Sequence, residues 1–286
     1  MSKNPQHLRN ILELNLAMLF ISTSGALGRY IDMPVPVTIG FRAILAGSVL
    51  FLFCKWKRIS FGIASTDRST IILGGVLMGL HWVTYFYALK MSNVAIGMLS
   101  LFTYPVITSF LEPILLKTKF QKMHLILGAL VLLGIYFLVP DFSLGNSYAN
   151  AVGLGVISAF CYALRNLIMK TKVSNYHGSM LMWYQLVIIS IMLLPTFFFI
   201  DSSGIITQWP WILVLAIVTT AVGHTLFLFS LKRFSTTTAS IISSIQPVYG
   251  IIIGMIFLGE IPLLTTIIGG VLILTSVVIE SIRSYR

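Results

Sequence analysis

The sequence predicts an all-α integral membrane protein whose ten transmembrane helices form two inverted five-helix repeats. The first observation is composition: 57% of the 286 residues are apolar and 9% are charged, whereas about a quarter of the residues in soluble domains are charged. The second is a series of ten apolar stretches, and the third is an internal repeat. Backbone groups inside lipid must be hydrogen-bonded within their own segment, so long apolar stretches are helices.

Each apolar stretch is long enough to cross a bilayer, since a helix rises about 1.5 Å per residue and the hydrocarbon core is about 30 Å thick. The stretches lie near residues 11–31, 36–53, 69–89, 93–115, 122–139, 150–169, 178–200, 209–230, 236–257 and 263–282. They predict the spans of the ten helices.

The formal charge of +11 raises the question of nucleic-acid binding. The basic residues are scattered into short loops and form no single basic face, so we predict no nucleic-acid partner. Most Lys and Arg residues fall on one side of the predicted topology, which the positive-inside rule makes cytoplasmic. The sequence therefore predicts a multi-pass protein of the inner (plasma) membrane with both termini in the cytoplasm.

An internal repeat supports this topology independently. Lys90 recurs as Lys232 and Pro105 recurs as Pro247, both 142 residues later. A five-helix unit crosses the membrane an odd number of times, so its second copy enters from the opposite face, as in many transporters.

The two units are residues 1–140 and 141–286. Units related by an axis in the membrane plane can exchange shapes, which gives inward-open and outward-open states of similar energy. We expect the substrate between the two units, near the middle of the membrane.

The end of the chain carries a family pattern. Ala239 is followed by a mid-helix proline at Pro247, by Leu-Gly-Glu ending at Glu260, and by a helix with a Gly-Gly pair. This resembles the EamA-type pattern of the drug/metabolite transporter superfamily. In the first unit, Lys117 and Thr118 stand where the Gly and Glu would be. The resemblance implies a ten-helix secondary carrier, commonly an exporter of amino acids or related metabolites.

Polar and aromatic residues within the spans supply the candidate site, because polar groups in lipid usually face the bundle interior or a hydrated cavity. Polar stripes on the first and sixth helices, histidines at depth, and aromatic rings with polar edges suit an amphipathic solute. The candidate substrate-binding residues are Arg29, His81, Trp82, Tyr85, Tyr104, Tyr162, Arg165, Asn166, His224, Gln246 and Tyr249. Pro105 and Pro247 are candidate hinges, because proline cannot donate to the helix ladder.

Alternative roles remain open for several of these residues. Arg29 and Arg165 either attract anions at the cavity mouths or reach towards lipid headgroups. Arg42, deeper in the second helix, needs a partner in the protein or in the substrate. A histidine at depth either titrates, which would couple transport to protons, or acts as a neutral hydrogen-bonding group.

These observations predict a secondary transporter for a small polar metabolite, most simply an amino-acid exporter working by alternating access. One alternative is an exchanger of anionic metabolites, phosphorylated or nucleotide-linked, using Arg29, Arg42 and Arg165. Another is a non-transporting membrane scaffold. We find no catalytic constellation, no Gly-rich phosphate loop and no metal-ligand spacing, so we predict no enzymatic activity and no cofactor. Beyond the solute and the lipid bilayer, the sequence leaves a homodimer and proton coupling open.

Overall fold

The computed structural model describes residues 5–117, 120, 122–138, 146–234, 239 and 242–284, and the regular structure of these residues is entirely helical. Before residue 140 the helices are α1 (Pro5–Tyr30), α2 (Val35–Trp56), α3 (Arg68–Met91), α4 (Val94–Leu101), α5 (Tyr104–Leu116) and α6 (Met123–Leu138). After residue 146 they are α7 (Ser147–Lys170), α8 (Gly178–Leu193), α9 (Thr196–Phe199), α10 (Ile205–Val214), a π-helix (Leu215–His224), α11 (Thr225–Arg233), α12 (Gln246–Leu258) and α13 (Leu264–Ser284). Short 3-10 turns precede α3 and α12.

Seven helical spans in the described part of the chain are long and apolar enough to cross a membrane. The all-α membrane class predicted from composition is confirmed. α3 packs extensively against α7, and further helix pairs form between α2 and α8, between α6 and α13, and between α1 and α12. These contacts bring the first part of the chain against the second and surround a large buried core.

The two mid-span prolines lie at helix starts, which corrects the predicted continuous helices. α4 ends at Leu101, and α5 begins at Tyr104 with Pro105 as its second residue. In the second half a 3-10 turn leads into α12, whose second residue is Pro247. Proline is favoured in the first helical turn because its missing N–H would be unused there. The chain therefore breaks just before each proline. Residues 236–238 and 240–241 of the predicted ninth helix lie outside the described residues.

A π-helix interrupts the predicted span at residues 209–230, and the sequence analysis did not anticipate it. It runs from Leu215 to His224, and the Thr220 hydroxyl donates a 3.0 Å hydrogen bond to the Leu215 carbonyl, five residues back. π-Helical turns are rare and are frequent at functional sites. This one places Thr219, Thr220 and His224 in the interior of the bundle.

The two proline helices both end with a residue in the left-handed region. Lys117 after α5 has φ 55°, and Gly259 after α12 has φ 67°. The two positions are 142 residues apart, which is the repeat shift found in the sequence. The backbone of the repeat is thus preserved at a position where the residue is not.

We expect Lys117→Gly to stabilise the protein. A side chain in the left-handed region costs about 1–2 kcal/mol, and the greater flexibility of glycine in the unfolded chain offsets about half of that. The free energy of unfolding should rise by about 0.5–1 kcal/mol, measured by thermal unfolding in detergent. Gly259→Ala, the matched change in the second half, should have the opposite sign, and a loss of stability in Lys117→Gly would contradict the argument.

Candidate functional site

A small cavity lies in the interior, where α1, α2, α3, α7 and the π-helix approach the breaks before Pro105 and Pro247. The structure brings six predicted site residues to it: His81, Trp82, Tyr85, Tyr162, His224 and Gln246. Its volume is about 10 Å³, roughly the space that one water molecule needs. In this conformation the cavity is closed around a volume much smaller than any metabolite.

Stacked rings form one wall of the cavity. The His81 ring lies 4.4 Å from the ring of Tyr162 and 6.1 Å from the ring of Tyr85, measured between centroids. Tyr104 contacts Tyr162 edge to face at 5.0 Å, so this predicted residue supports the wall from behind. Aromatic faces of this kind are a suitable lining for an amphipathic solute.

Trp82 and His224 meet at the opposite wall, with ring centroids 5.4 Å apart. They are 142 residues apart in the chain, so the repeat shift relates one to the other. The cavity is therefore lined by two residues at equivalent positions of the sequence repeat.

Hydrogen bonds define the proton position on His81. The Ser158 hydroxyl lies 2.8 Å from the His81 carbonyl oxygen and 2.7 Å from His81 Nδ1. The hydroxyl has one proton, and the carbonyl oxygen can only accept it. We therefore assign the ring proton to Nδ1, which donates to Ser158 and leaves Nε2 as an acceptor.

Arg42 also lines the cavity, although the sequence analysis did not place it in the site. It is only 1% exposed, and its guanidinium carbon lies 3.8 Å from the centre of the Trp82 ring. Nε donates a 2.6 Å hydrogen bond to the hydroxyl of Thr220 in the π-helix. Its two terminal nitrogens, Nη1 and Nη2, have no hydrogen-bond partner among the described residues.

Arg165 is equally buried but is satisfied by the protein. Its Nε donates to Gln185 Oε1 at 2.7 Å, and its Nη1 donates to Asn166 Oδ1 at 2.9 Å. Neither Arg165 nor Asn166 is among the residues that line the cavity. These two predicted site residues therefore form a polar cluster inside the bundle, outside the cavity.

Arg29 lies at the end of α1, away from the cavity. Its Nε lies 3.0 Å from Glu260 Oε1, and the other carboxylate oxygen accepts the backbone N–H of Val94 at 2.8 Å. Arg29 Nη1 also donates to the Lys90 carbonyl at 3.0 Å. Glu260 thus connects α1, the first turn of α4 and the end of α12. We call this group of contacts the Glu260 latch.

A second group of ion pairs joins the halves at the other end of α1. Asp67 accepts from Lys172 Nζ at 2.8 Å and from the Tyr176 hydroxyl at 2.7 Å. Glu13 in α1 pairs with Arg233 at the end of α11. The two halves are therefore connected through charged groups at both ends of the bundle.

The remaining predicted residue, Tyr249, is partly buried and packs against the core without lining the cavity. Among the residues that line the cavity, Ser24 of α1 was not predicted, and Arg42 was named only for the anionic alternative. The lone hydroxyl of Ser24 belongs to no sequence pattern that would distinguish it from other serines.

The family of the chain follows from comparison with known proteins. The sequence model of the EamA-like transporter family matches residues 9–139 and, a second time, residues 149–282. The chain belongs to the EamA-like transporter family. The predicted family is thus confirmed, and so is the prediction that this protein is a transporter and not an enzyme.

Three relatives of the chain are named as transporters or exporters. The chain is 28% identical to an uncharacterized transporter of Archaeoglobus fulgidus over 74% of this chain and 76% of that one. It is 26% identical to the threonine/homoserine exporter RhtA of Salmonella typhimurium, over 87% and 83%. It is 24% identical to the pseudopaline exporter CntI of Pseudomonas aeruginosa, over 85% of each.

A solved crystal structure has the same fold. It superposes with a TM-score of 0.72 and covers 97% of this chain and 99% of its own, at 15% sequence identity. At that identity the likeness concerns the fold alone.

We expect Ser158→Ala to lower the free energy of unfolding by about 1–3 kcal/mol, because it leaves the His81 Nδ1 proton buried without an acceptor. Ser276→Ala is the matched control, since Ser276 is equally buried and its hydroxyl bonds only within its own helix. That control should change stability by at most about 0.5 kcal/mol. Equal effects of both substitutions on thermal unfolding in detergent would contradict the assigned role of Ser158.

Proposed function

We propose that this protein is a ten-helix secondary transporter of the inner membrane that exports an amino-acid-like solute by alternating access. The observation that carries the proposal is the cavity, which is lined by residues of both halves and lies at their junction. The proposed halves are residues 1–140 and 141–286, in inverted orientation, with both termini in the cytoplasm. Pro105 and Pro247 begin the helix segments that flex.

Helix packing supports the inverted repeat. Three short apolar helices, Leu125–Leu138, Ser243–Leu258 and Leu264–Ile279, join the seven longer spans to give ten. When the ten are numbered in order, the contacting pairs α2 and α8, α6 and α13, and α4 and α12 are each a helix and its counterpart five helices later. Self-pairing of equivalent helices is what an axis between two copies produces. The two matches of the family model agree with this division.

The ion pairs at the two ends support alternating access. In the proposed topology the Glu260 latch closes the outer end, while the contacts of Asp67 and Glu13 close the inner end. With both ends closed and room for about one water molecule in the cavity, the conformation is occluded. Opening one end while the other stays closed would admit solute from one side at a time.

Export of an amino-acid-like solute is supported by the relatives named as exporters, including the threonine/homoserine exporter RhtA. The cavity agrees with a small amphipathic solute, because it combines aromatic faces with histidine, arginine and amide groups. Among the described residues, Arg29 and Arg165 are engaged by protein partners. One arginine is therefore left for the cavity, which fits a singly charged group better than a phosphate with its charge of about −2.

We expect proteoliposomes to show saturable efflux of a labelled amino acid, measured across a panel with and without an inward proton gradient. Tyr162→Ala removes the ring stacked on His81 and should reduce the rate roughly three- to tenfold, the worth of one aromatic contact. Tyr136→Ala, at a ring that is 61% exposed on α6, should leave the rate unchanged. The proposal would be wrong if the proteoliposomes transported none of the amino acids in the panel under any gradient.

We expect Glu260→Gln to favour opening at the outer end, because the amide loses the charge attraction to Arg29 and accepts a weaker hydrogen bond from Val94. The measurement uses Ser24→Cys in a background lacking Cys54 and Cys161, with an impermeant thiol reagent applied from outside. Labelling should become several-fold faster in Glu260→Gln. The matched change at the other end, Glu13→Gln, should not accelerate it, and equal labelling in all three proteins would contradict the latch.

A further inference from the structure

We propose that Arg42 is the anchor for a carboxylate group of the transported solute. The inference deepens the proposed transport function and rests on it. It concerns which chemical group the cavity recognises and which residue binds that group. It starts from the hydrogen-bonding groups that the closed cavity leaves unpaired.

Unpaired polar atoms are concentrated at this cavity. Nine buried side-chain nitrogen or oxygen atoms of the described residues have no hydrogen-bond partner. Four of them belong to Arg42, Trp82 and His224, which all line the cavity. A buried polar group without a partner costs about 1–3 kcal/mol, so this concentration points to a polar ligand.

The unpaired atoms are mainly donors. Nη1 and Nη2 of Arg42 and Nε1 of Trp82 can only donate, while His224 Nδ1 can act either way. A donor-rich cavity selects a ligand group that is rich in acceptors. A carboxylate has two oxygens and accepts from a guanidinium in a bidentate manner.

The surroundings hold Arg42 ready for this role. The Thr220 hydroxyl accepts from Nε, and the Trp82 ring covers one face of the guanidinium. Both contacts orient the side chain, and neither neutralises its charge. The described ion pairs include no carboxylate partner for Arg42. A buried guanidinium is therefore preorganised for an anion, which lowers the entropy lost on binding.

Arg165 shows that burial alone does not produce this arrangement. It is buried to the same degree, but side chains of Gln185 and Asn166 take up its donors. The two arginines thus differ in the feature that matters for a ligand, namely donors left unpaired at the cavity.

The cavity also offers a hydrogen-bond acceptor for the ammonium group of a zwitterionic solute. His81 lines the same cavity, and the proton position assigned from Ser158 leaves its Nε2 as an acceptor. An acceptor there suits the ammonium group of an amino acid. The cavity thus fits a solute with one carboxylate and one ammonium group.

The test measures the affinity of the full-length protein in detergent for matched ligands by thermal shift and calorimetry. The probes are the common amino acids, their carboxamides and decarboxylated amines, plus propionate, benzoate, phosphate and sulfate, each up to about 10 mM, where a millimolar binder still stabilises measurably. In the wild type the best-binding free acid should exceed its amide by at least about tenfold, the worth of a charge-assisted pair.

The variants assign the preference to Arg42. In Arg42→Gln the ratio of the affinity for the acid to the affinity for its amide should fall to about one. Arg42→Lys should retain part of the preference for the acid, because lysine keeps the positive charge but cannot donate two parallel hydrogen bonds as a guanidinium does. The ratio is measured within one preparation, so a lower folding yield does not affect it. If Arg42→Gln does not fold, Thr220→Val tests the same point, since loss of the Nε partner should weaken the acid and spare the amide. Arg29→Gln is the matched control and should keep the wild-type ratio.

The outcomes separate this inference from the proposed function. Equal binding of acid and amide by the wild type, or a ratio that survives Arg42→Gln, would overturn the carboxylate anchor while leaving amino-acid transport intact. Binding of propionate or benzoate but no amino acid, lost in Arg42→Gln, would support the anchor and overturn the amino-acid substrate. A stronger response to phosphate and sulfate than to any carboxylate, or no response to any carboxylate, would overturn the anchor.

Discussion

Lipid supplies no hydrogen bonds, and this constraint governs the whole molecule. Each polar group within a span has to form a hydrogen bond with its own helix, with another part of the protein, or with water or solute in a cavity. Most serines and threonines in the spans meet the requirement locally, as Ser22 and Ser276 do by bonding to carbonyls of the preceding turn. The residues that do not meet it locally determine how the helices assemble and where the cavity forms.

Charged and polar residues accordingly divide into two groups. Glu260, Asp67 and Arg165 are consumed by contacts that hold helices together. Arg42, Trp82 and His224 keep unpaired atoms at the centre. The first group joins helices at the two ends and in the interior of the bundle, and the second leaves hydrogen-bonding groups at the cavity that the protein does not satisfy. Residues of the same types thus hold helices together where their hydrogen-bonding groups are paired, and they are available to a ligand where those groups are unpaired.

The sequence was sufficient for the class, the family and much of the cavity. Composition and span length require helices. His81, Trp82 and Tyr162 were identified because polar groups deep in a membrane span usually face the bundle interior or a hydrated cavity. The ion pair between Arg29 and Glu260 could not be predicted, because the two residues are 231 positions apart and no spacing rule connects them. Arg42 was undervalued because its distinguishing property is a missing partner, which becomes visible only when its neighbours are known. The π-helix was missed because its apolar pattern is that of an ordinary buried helix.

At the position equivalent to Glu260, the sequence of the first half has Thr118, which carries no carboxylate. The helices that move are equivalent in the proposed cycle, yet the contacts that hold the two ends shut are made by different residues. The two openings therefore have separate activation barriers. In that cycle, substitutions at either end can change the rate of one half without altering the central cavity, so the rate of transport can evolve independently of the solute carried.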